Sequence, residues 1–323
     1  MIVNDNPKEL TIHFGGRRGQ AIRKNYIDME LKVPGEAPRR VFPDIGTRTN
    51  SYTFRHHDGL LFATEFAQPA LTVMCKAHFA DLTSQGLVQM QSSFAGHSLG
   101  EYAALASMGD IMTVEELVAI TWFRGLNMRL VVQRDAEGHS PYAMVAINPS
   151  KVNSAFTEDD LHAAVDAIRM ETGQLLEVVN YNIVNLQYVC AGSRTALKCL
   201  IEMLRVASYE GLQVAIDSSS SLASAHGSGD RVVLERTKFA VPLNGVDVPF
   251  HSSFLRPGID AYREVLLSSL HRDSVQPKNL IGRWIPNVTG RKFSVCREEV
   301  EEVQRLTGSP VLKDLLGPHH WAK

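Results

Sequence analysis

The chain has 323 residues, of which 44% are hydrophobic and 21% charged, the arithmetic of an ordinary globular protein. At about 150 residues per domain it should hold roughly two domains, or one body carrying an insertion, with ample core. Thirty-three Lys and Arg against thirty-five Asp and Glu leave a formal charge of −2, which excludes a global basic field for nucleic acid and an acidic tail. Along the chain, Thr11–Phe14 predicts a short strand, Gly15–Gly19 a turn, and Gln20–Leu31 a helix. Residues 34–50 are rich in Pro, Gly and Arg and read as a surface loop. A helix begins near Phe66, with Pro69 in its first turn and Ala70, Val73, Met74, Ala77 and His78 forming an apolar stripe. Gln91–Ala95 predicts a strand, Gly96–Gly100 a tight turn, and Glu101 opens a further helix. Val114 to about Val132 follows as a helix behind a Thr113/Glu116 capping box.

From Tyr142 the rhythm changes. Tyr142–Ile147 predicts a strand, Glu158–Met170 a helix, Leu176–Asn180 and Gln187–Ala191 strands, and Arg194 to about Ala207 a helix. A last strand near Phe239–Pro242 would complete a ferredoxin-like split βαβ unit. The Ser/Gly-rich run at 218–229 reads as a flexible loop. Beyond it come Val248–His251, a helix from about Arg256 to Leu270, Trp284–Asn287, and an amphipathic stretch from Arg297 to Leu306.

Cys75, Cys190, Cys199 and Cys296 are scattered, with no CxxC pair and no His at ligand spacing, so neither a disulfide framework nor a structural metal is expected. Reduced thiols suit a cytoplasmic protein. No apolar run approaches the ~18–20 residues of a membrane span. The MIVNDNPKEL start has neither the charged nor the apolar region of a signal peptide.

The chemistry concentrates at Gly96-His97-Ser98-Leu99-Gly100-Glu101. A strand running into GxSxG and straight into a helix is a nucleophile elbow, which pushes the serine hydroxyl out of a sharp turn. The helix N-terminus supplies free amides for an oxyanion, and the Leu99 N–H is the natural first donor. Among twelve histidines, His56, His57, His319 and His320 read as solvated, and His78 as a core residue. His97 adjoins the serine and should diverge from it. His251 stands where a strand end breaks into a Ser-rich turn, the place for a catalytic base.

Gly96-His-Ser-Leu-Gly-Glu-Tyr-Ala-Ala-Leu105 resembles the signature of malonyl-CoA:acyl carrier protein acyltransferases. Gln68-Pro-Ala-Leu71, Phe123-Arg-Gly125 and Val248-Pro-Phe-His-Ser252 agree with it in order and separation. From about Leu10 onward the chain resembles more closely still the malonyl/palmitoyl transferase domain at the C-terminal end of the fungal fatty acid synthase β subunit. Ile12–Gly16, Ser51–Phe54, Tyr142–Pro149, Val179–Asn182 and Ile285–Asn287 carry that likeness. Paralogous β subunits of secondary metabolism share these motifs.

The resemblance implies an α/β fold: an α/β-hydrolase-like acyltransferase core with a parallel sheet and an inserted ferredoxin-like subdomain. Residues 1–141 and 240–323 would form the core, and residues 142–239 the insertion. It implies that Ser98 carries an acyl ester, that His251 is its base and acid, and that Arg124 pairs with a malonyl carboxylate. A guanidinium grips a carboxylate through two parallel hydrogen bonds; taken alone, Arg124 reads as a helix-surface arginine. Gln68 would line the acyl pocket, Asn182 contact the acyl group, and Asn287 orient His251 in a Ser-His dyad with no acidic third member.

The substrates implied are malonyl-CoA, long-chain acyl-CoA and a phosphopantetheine-carrying acyl carrier protein, with no metal or other cofactor. Other synthase domains and the α subunit are the implied partners, with no nucleic acid and no membrane. Family members also carry a GQGSQ segment whose glutamine is a second oxyanion donor, and this sequence is expected to begin after it. Gln20, in a superficially similar context, is not assigned that role. Two rivals remain. A truncated, non-catalytic fragment is one; a serine hydrolase or thioesterase is the other. Asp217, Asp230 and Asp247 are available to a hydrolase by chain order, but no HGGG-like segment precedes Ser98.

Overall fold

The computed structural model describes residues 5–31, 37–89, 91–108, 111–225, 232–270 and 275–317. His319, His320 and Asp230 lie outside the described residues. In chain order the first elements are β1 (Glu9–His13), α1 (Gly16–Asp28), β2 (Glu30–Leu31), β3 (Arg39–Arg40) and β4 (Ser51–Arg55). The middle of the chain supplies α2 (Thr64–Ser84), β5 (Phe94–Ala95), α3 (Leu99–Ser107), α4 (Val114–Val131), β6 (Tyr142–Ile147) and α5 (Glu158–Thr172). Then come β7 (Leu176–Ile183), β8 (Gln187–Ser193), α6 (Arg194–Glu210), α7 (Leu212–Asp217), α8 (Ser219–Ala225) and β9 (Ala240–Pro242). The last are α9 (Ile259–Ser269), α10 (Pro277–Leu280), β10 (Trp284–Ile285), α11 (Arg297–Thr307) and α12 (Pro310–Leu315). None of the described helices is long and apolar enough to cross a membrane.

Two compact units divide these elements. Met1–Pro7, Ala63–Leu126 and Tyr262–Lys323 form one; Lys8–Phe62 and Asn127–Ala261 form the other. In the first unit β5 and β10 pair in parallel, Phe94 with Trp284 and Ala95 with Ile285. Ala106, Met108, Ile111, Met112, Leu117 and Leu280 make its apolar centre, with Phe94, Tyr102 and Trp284 packed against it. α4 starts where the sequence places it. The Thr113 amide donates to Glu116 and the Glu116 amide to the Thr113 hydroxyl, satisfying two orphan donors at once.

The second unit holds a four-stranded sheet in the order β7-β8-β6-β9, with every neighbouring pair antiparallel. With α5 after β6 and α6 after β8, this is the ferredoxin-like arrangement, and the fold class is α/β. α5 is closed at both ends, by a Thr157/Asp160 capping box and by Gly173 in the left-handed region. Leu161, Ala164, Val165 and Ile168 recur at helical spacing and pack with Leu197, Leu200, Ile201 and Leu204 of α6. Val145, Ile147, Leu176, Tyr188 and Cys190 meet them from one face of the sheet. The other face carries Met144, Val189 and Ala191, covered by Val179, Leu243, Val246 and Phe250.

Four sequence expectations are corrected. Residues Arg39–Arg40 lie in the stretch read as loop but pair with Glu30–Leu31, and Arg40 ties the hairpin down by donating to the Ile27 carbonyl. In the run read as a flexible loop, Ser219–Ala225 form a helix that packs against α5 and α6. The Ser224 hydroxyl donates to the Ser220 carbonyl there, so serine returns its hydrogen bond to the helix. His78 is exposed. The buried stripe of α2 is Thr64, Glu65, Gln68 and Thr72 instead, while Met74 remains 45% exposed. Thr64, Gln68 and Thr72 of this stripe are paired. The Thr72 hydroxyl reaches Thr121, and Gln68 bonds within the helix and to α4.

Candidate active site

Ser98 has φ 51° and ψ −107°, a strained left-handed conformation for a residue with a Cβ, at the N-cap of α3. Gly96 makes that turn possible. A Cβ on Gly96 would stand 2.0 Å from the backbone carbon and oxygen of Gly100, whereas a Cβ on Gly100 meets nothing within 4 Å. Leu99 is the first helical residue, so its N–H belongs to the orphan amides at the positive end of the helix.

The first unit brings five of the expected residues together. Arg124, from α4, donates to the Gln68 side-chain oxygen at 2.7 Å and to the Ser98 hydroxyl at 3.3 Å. Among the described residues its guanidinium forms no salt bridge; its remaining neighbour is the face of the Tyr102 ring. Gln68 is 5% exposed and donates to the Thr64 hydroxyl, so it orients Arg124. α2 and α4 can approach this closely because Gly125 follows Arg124. A Cβ there would come within 2.4 Å of the Thr64 carbonyl oxygen.

Asn287 follows β10 and clamps the elbow. Its side-chain amide donates to the Gly96 carbonyl and to the Glu101 carboxylate, both at 2.8 Å, and its backbone N–H donates to the other Glu101 oxygen at 3.0 Å. The elbow is thus fixed from outside by an amide and a carboxylate that sequence reading did not pair.

His251 and Asn182 belong to the second unit. His251 has φ 63° and is exposed, and the chain on both sides of it is pinned. Before it, Asp247 is held by Arg134 in a bidentate pair, Val248 is buried, and Phe250 packs on the sheet. After it, the Ser252 hydroxyl donates to the Pro249 carbonyl at 2.7 Å, and both the amide and the hydroxyl of Ser253 donate to Glu177 of β7. Such a frame holds a strained histidine at a fixed place. Asp247 is therefore a support for the turn, and Asp217 is spent on Gln213 at the surface. Asn182 is exposed, at an irregularity in the β7–β8 register between Tyr181 and Ile183.

A cavity of about 1070 Å³ opens within the second unit, lined in part by His56, His57, Arg134, His139 and Asp247, and by none of Ser98, Gln68, Arg124, Asn182, His251 or Asn287. His56 is half-buried rather than solvated. Its burial and then the neighbouring His57 hold its pKa below the usual imidazole value.

Residues 6–311 match the model of the acyl transferase domain family. The chain belongs to that family. This acyl transferase is 43% identical over 327 residues to the fatty acid synthase beta subunit TOXC of Cochliobolus carbonum, covering 98% of this chain. It is 40% identical over 341 residues to the fatty acid synthase subunit beta of Saccharomyces cerevisiae, covering 100% of this chain. It spans 16% of the length of each of these relatives. The fold is also that of FabD from Acinetobacter baumannii, with a TM-score of 0.50 at 21% identity over 80% of this chain and 68% of that one.

The sequence missed the supporting residues of this acyl transferase: Glu101, Tyr102, Arg134, Glu177 and Asp247. Only Tyr102 carried a local signal, since an aromatic one helical turn after the nucleophile returns to its side of the helix.

Proposed function

We propose that this acyl transferase moves a malonyl group between the thiols of CoA and of an acyl carrier protein through an ester on Ser98. The observation that carries the reading is Arg124, a guanidinium 3.3 Å from the Ser98 hydroxyl that forms no salt bridge among the described residues. A cation held beside a nucleophile without a carboxylate of its own suits an acyl group that brings one.

In this cycle His251 accepts the Ser98 proton as the serine oxygen attacks the thioester carbon, and the oxyanion rests on the Leu99 amide. The C–S bond then breaks, and the CoA sulfur leaves with the proton from the imidazolium. The phosphopantetheine thiol attacks the acyl-serine, His251 takes its proton, and Ser98 departs with that proton restored. Asn182 is assigned a contact with the acyl group. Long acyl chains returning to CoA would use the same site. The work belongs to fatty acid or related polyketide-starter synthesis in the cytoplasm, beside the other synthase domains and the α subunit; the likeness to the two β subunits supports this. The reaction so written draws on no metal or redox cofactor.

Incubating the chain with malonyl-CoA tests the reading. A malonyl ester on the folded chain, absent from Ser98→Ala, is expected. A folded chain that takes up no malonyl group would contradict it.

A further inference from the structure

The charge on Arg124 is carried on an aromatic shelf. Its Cζ stands over the Tyr102 ring, 5.5 Å from the ring centre, within the ~6 Å range in which an aromatic face attracts a cation. Tyr102 is itself fixed, because it packs against the Ala106, Met108 and Leu117 cluster of the first unit. From α9, Tyr262 brings its ring to 6.4 Å from that of Tyr102, centre to centre. Burial first, and then Tyr102, pushes the Tyr262 hydroxyl far above the usual phenol pKa, so it stays neutral beside the guanidinium. An aromatic ring face therefore lies against Arg124 where a carboxylate would have neutralised it.

The geometry points to Tyr102 as a positioning residue for substrate selection: its ring face holds the Arg124 guanidinium in register with Ser98, favouring a carboxylate-bearing acyl group over an uncharged one. Tyr262 is the neutral wall that keeps this shelf in place. The inference rests on the reading of Arg124 as the partner of the acyl carboxylate. Gln68 alone leaves the arginine one fixed hydrogen bond and a hydroxyl that moves with the chemistry. The ring supplies the third constraint without competing for the charge.

The test measures kcat and KM for Ser98 acylation of the 323-residue chain by malonyl-CoA and by butyryl-CoA, an uncharged group of similar size. Tyr102→Leu should lower the malonyl-to-butyryl ratio of kcat/KM by about 3- to 30-fold, the weight of a cation on an aromatic face, with the loss in malonyl KM. Tyr102→Phe keeps the face and should keep the ratio. Tyr102→Met replaces Tyr102→Leu if circular dichroism shows the latter unfolded. An unchanged ratio in Tyr102→Leu or Tyr102→Met, or an equal fall in Tyr102→Phe, overturns the inference. Arg124→Ala separates the two levels. If it lowers both acyl groups equally, or if the unsubstituted chain is not acylated at all, the reading of Arg124 fails and this inference falls with it.

Discussion

Gly96→Ala is the substitution to which the elbow should be most sensitive. The added Cβ would stand 2.0 Å from both the carbon and the oxygen of the Gly100 carbonyl and 2.5 Å from the Glu101 amide nitrogen. All three are backbone atoms at the start of α3, so no rotamer change relieves the contact. Ordinary van der Waals separation begins at 3.4 Å, and the turn must therefore open by more than an ångström. Overpacking of this kind costs about 1–3 kcal/mol of stability. A misplacement of ~1 Å at a reacting centre costs on the order of a hundredfold in rate. Ser98 acylation by malonyl-CoA, followed by intact mass under single-turnover conditions, should fall by about that factor while circular dichroism stays folded. Gly100→Ala is the companion, because its Cβ enters open space and alanine is the better helix former by up to about 1 kcal/mol. Its thermal midpoint should hold or rise. An acylation rate within twofold of the parent in Gly96→Ala would refute this account of the elbow.

The clamp and the buried thiol give two more expectations. Asn287→Ala removes the two side-chain bonds to Gly96 and Glu101 and should cost about 1–2 kcal/mol; Asn287→Asp should cost more, since it sets a second carboxylate against Glu101. Thermal midpoints order the variants, and an aspartate as stable as the parent would contradict the clamp. Burial pushes the Cys190 thiol from 9.0 up to about 12. As pH rises past 9 the unfolded chain loses this proton before the folded one does. The contribution is therefore complete below pH 9 and is lost towards pH 12, at up to about 1.36 kcal/mol per pH unit. Cys190→Ala should flatten the alkaline limb of a pH–stability curve. In the native protein a thiol reagent should label the exposed Cys75 and Cys296 and spare Cys190; prompt labelling of Cys190 would contradict its burial.

What the sequence made legible was whatever is encoded locally. The Thr113/Glu116 box, the strand Tyr142–Ile147 and the GxSxG turn each depend on a few neighbouring residues, and each stands where the pattern puts it. The buried face of α2 was illegible for a physical reason. Hydrophobic periodicity selects Ala70, Val73 and Met74, while the helix buries Gln68 and Thr72, whose partners Arg124 and Thr121 lie about fifty residues away. The same holds for His251. Its candidacy came from a strand end, but its fixation comes from Arg134 and Glu177, 113 and 76 positions from the groups they hold. Asn287 was expected at the histidine, and its side chain instead holds Gly96 and Glu101 of the elbow. A polar contact between distant segments leaves no period in a sequence.

The central claim is that Ser98 carries the acyl group between two thiols. The folded chain is mixed with malonyl-CoA, freed of excess CoA ester, digested and mapped by mass, and a second aliquot is chased with phosphopantetheine-bearing acyl carrier protein. The account predicts one malonyl group on the peptide containing Ser98, none in Ser98→Ala, and return to the unmodified mass as the carrier protein gains the group. A malonyl group on any other residue, or an ester on Ser98 that the carrier thiol leaves untouched, would contradict it.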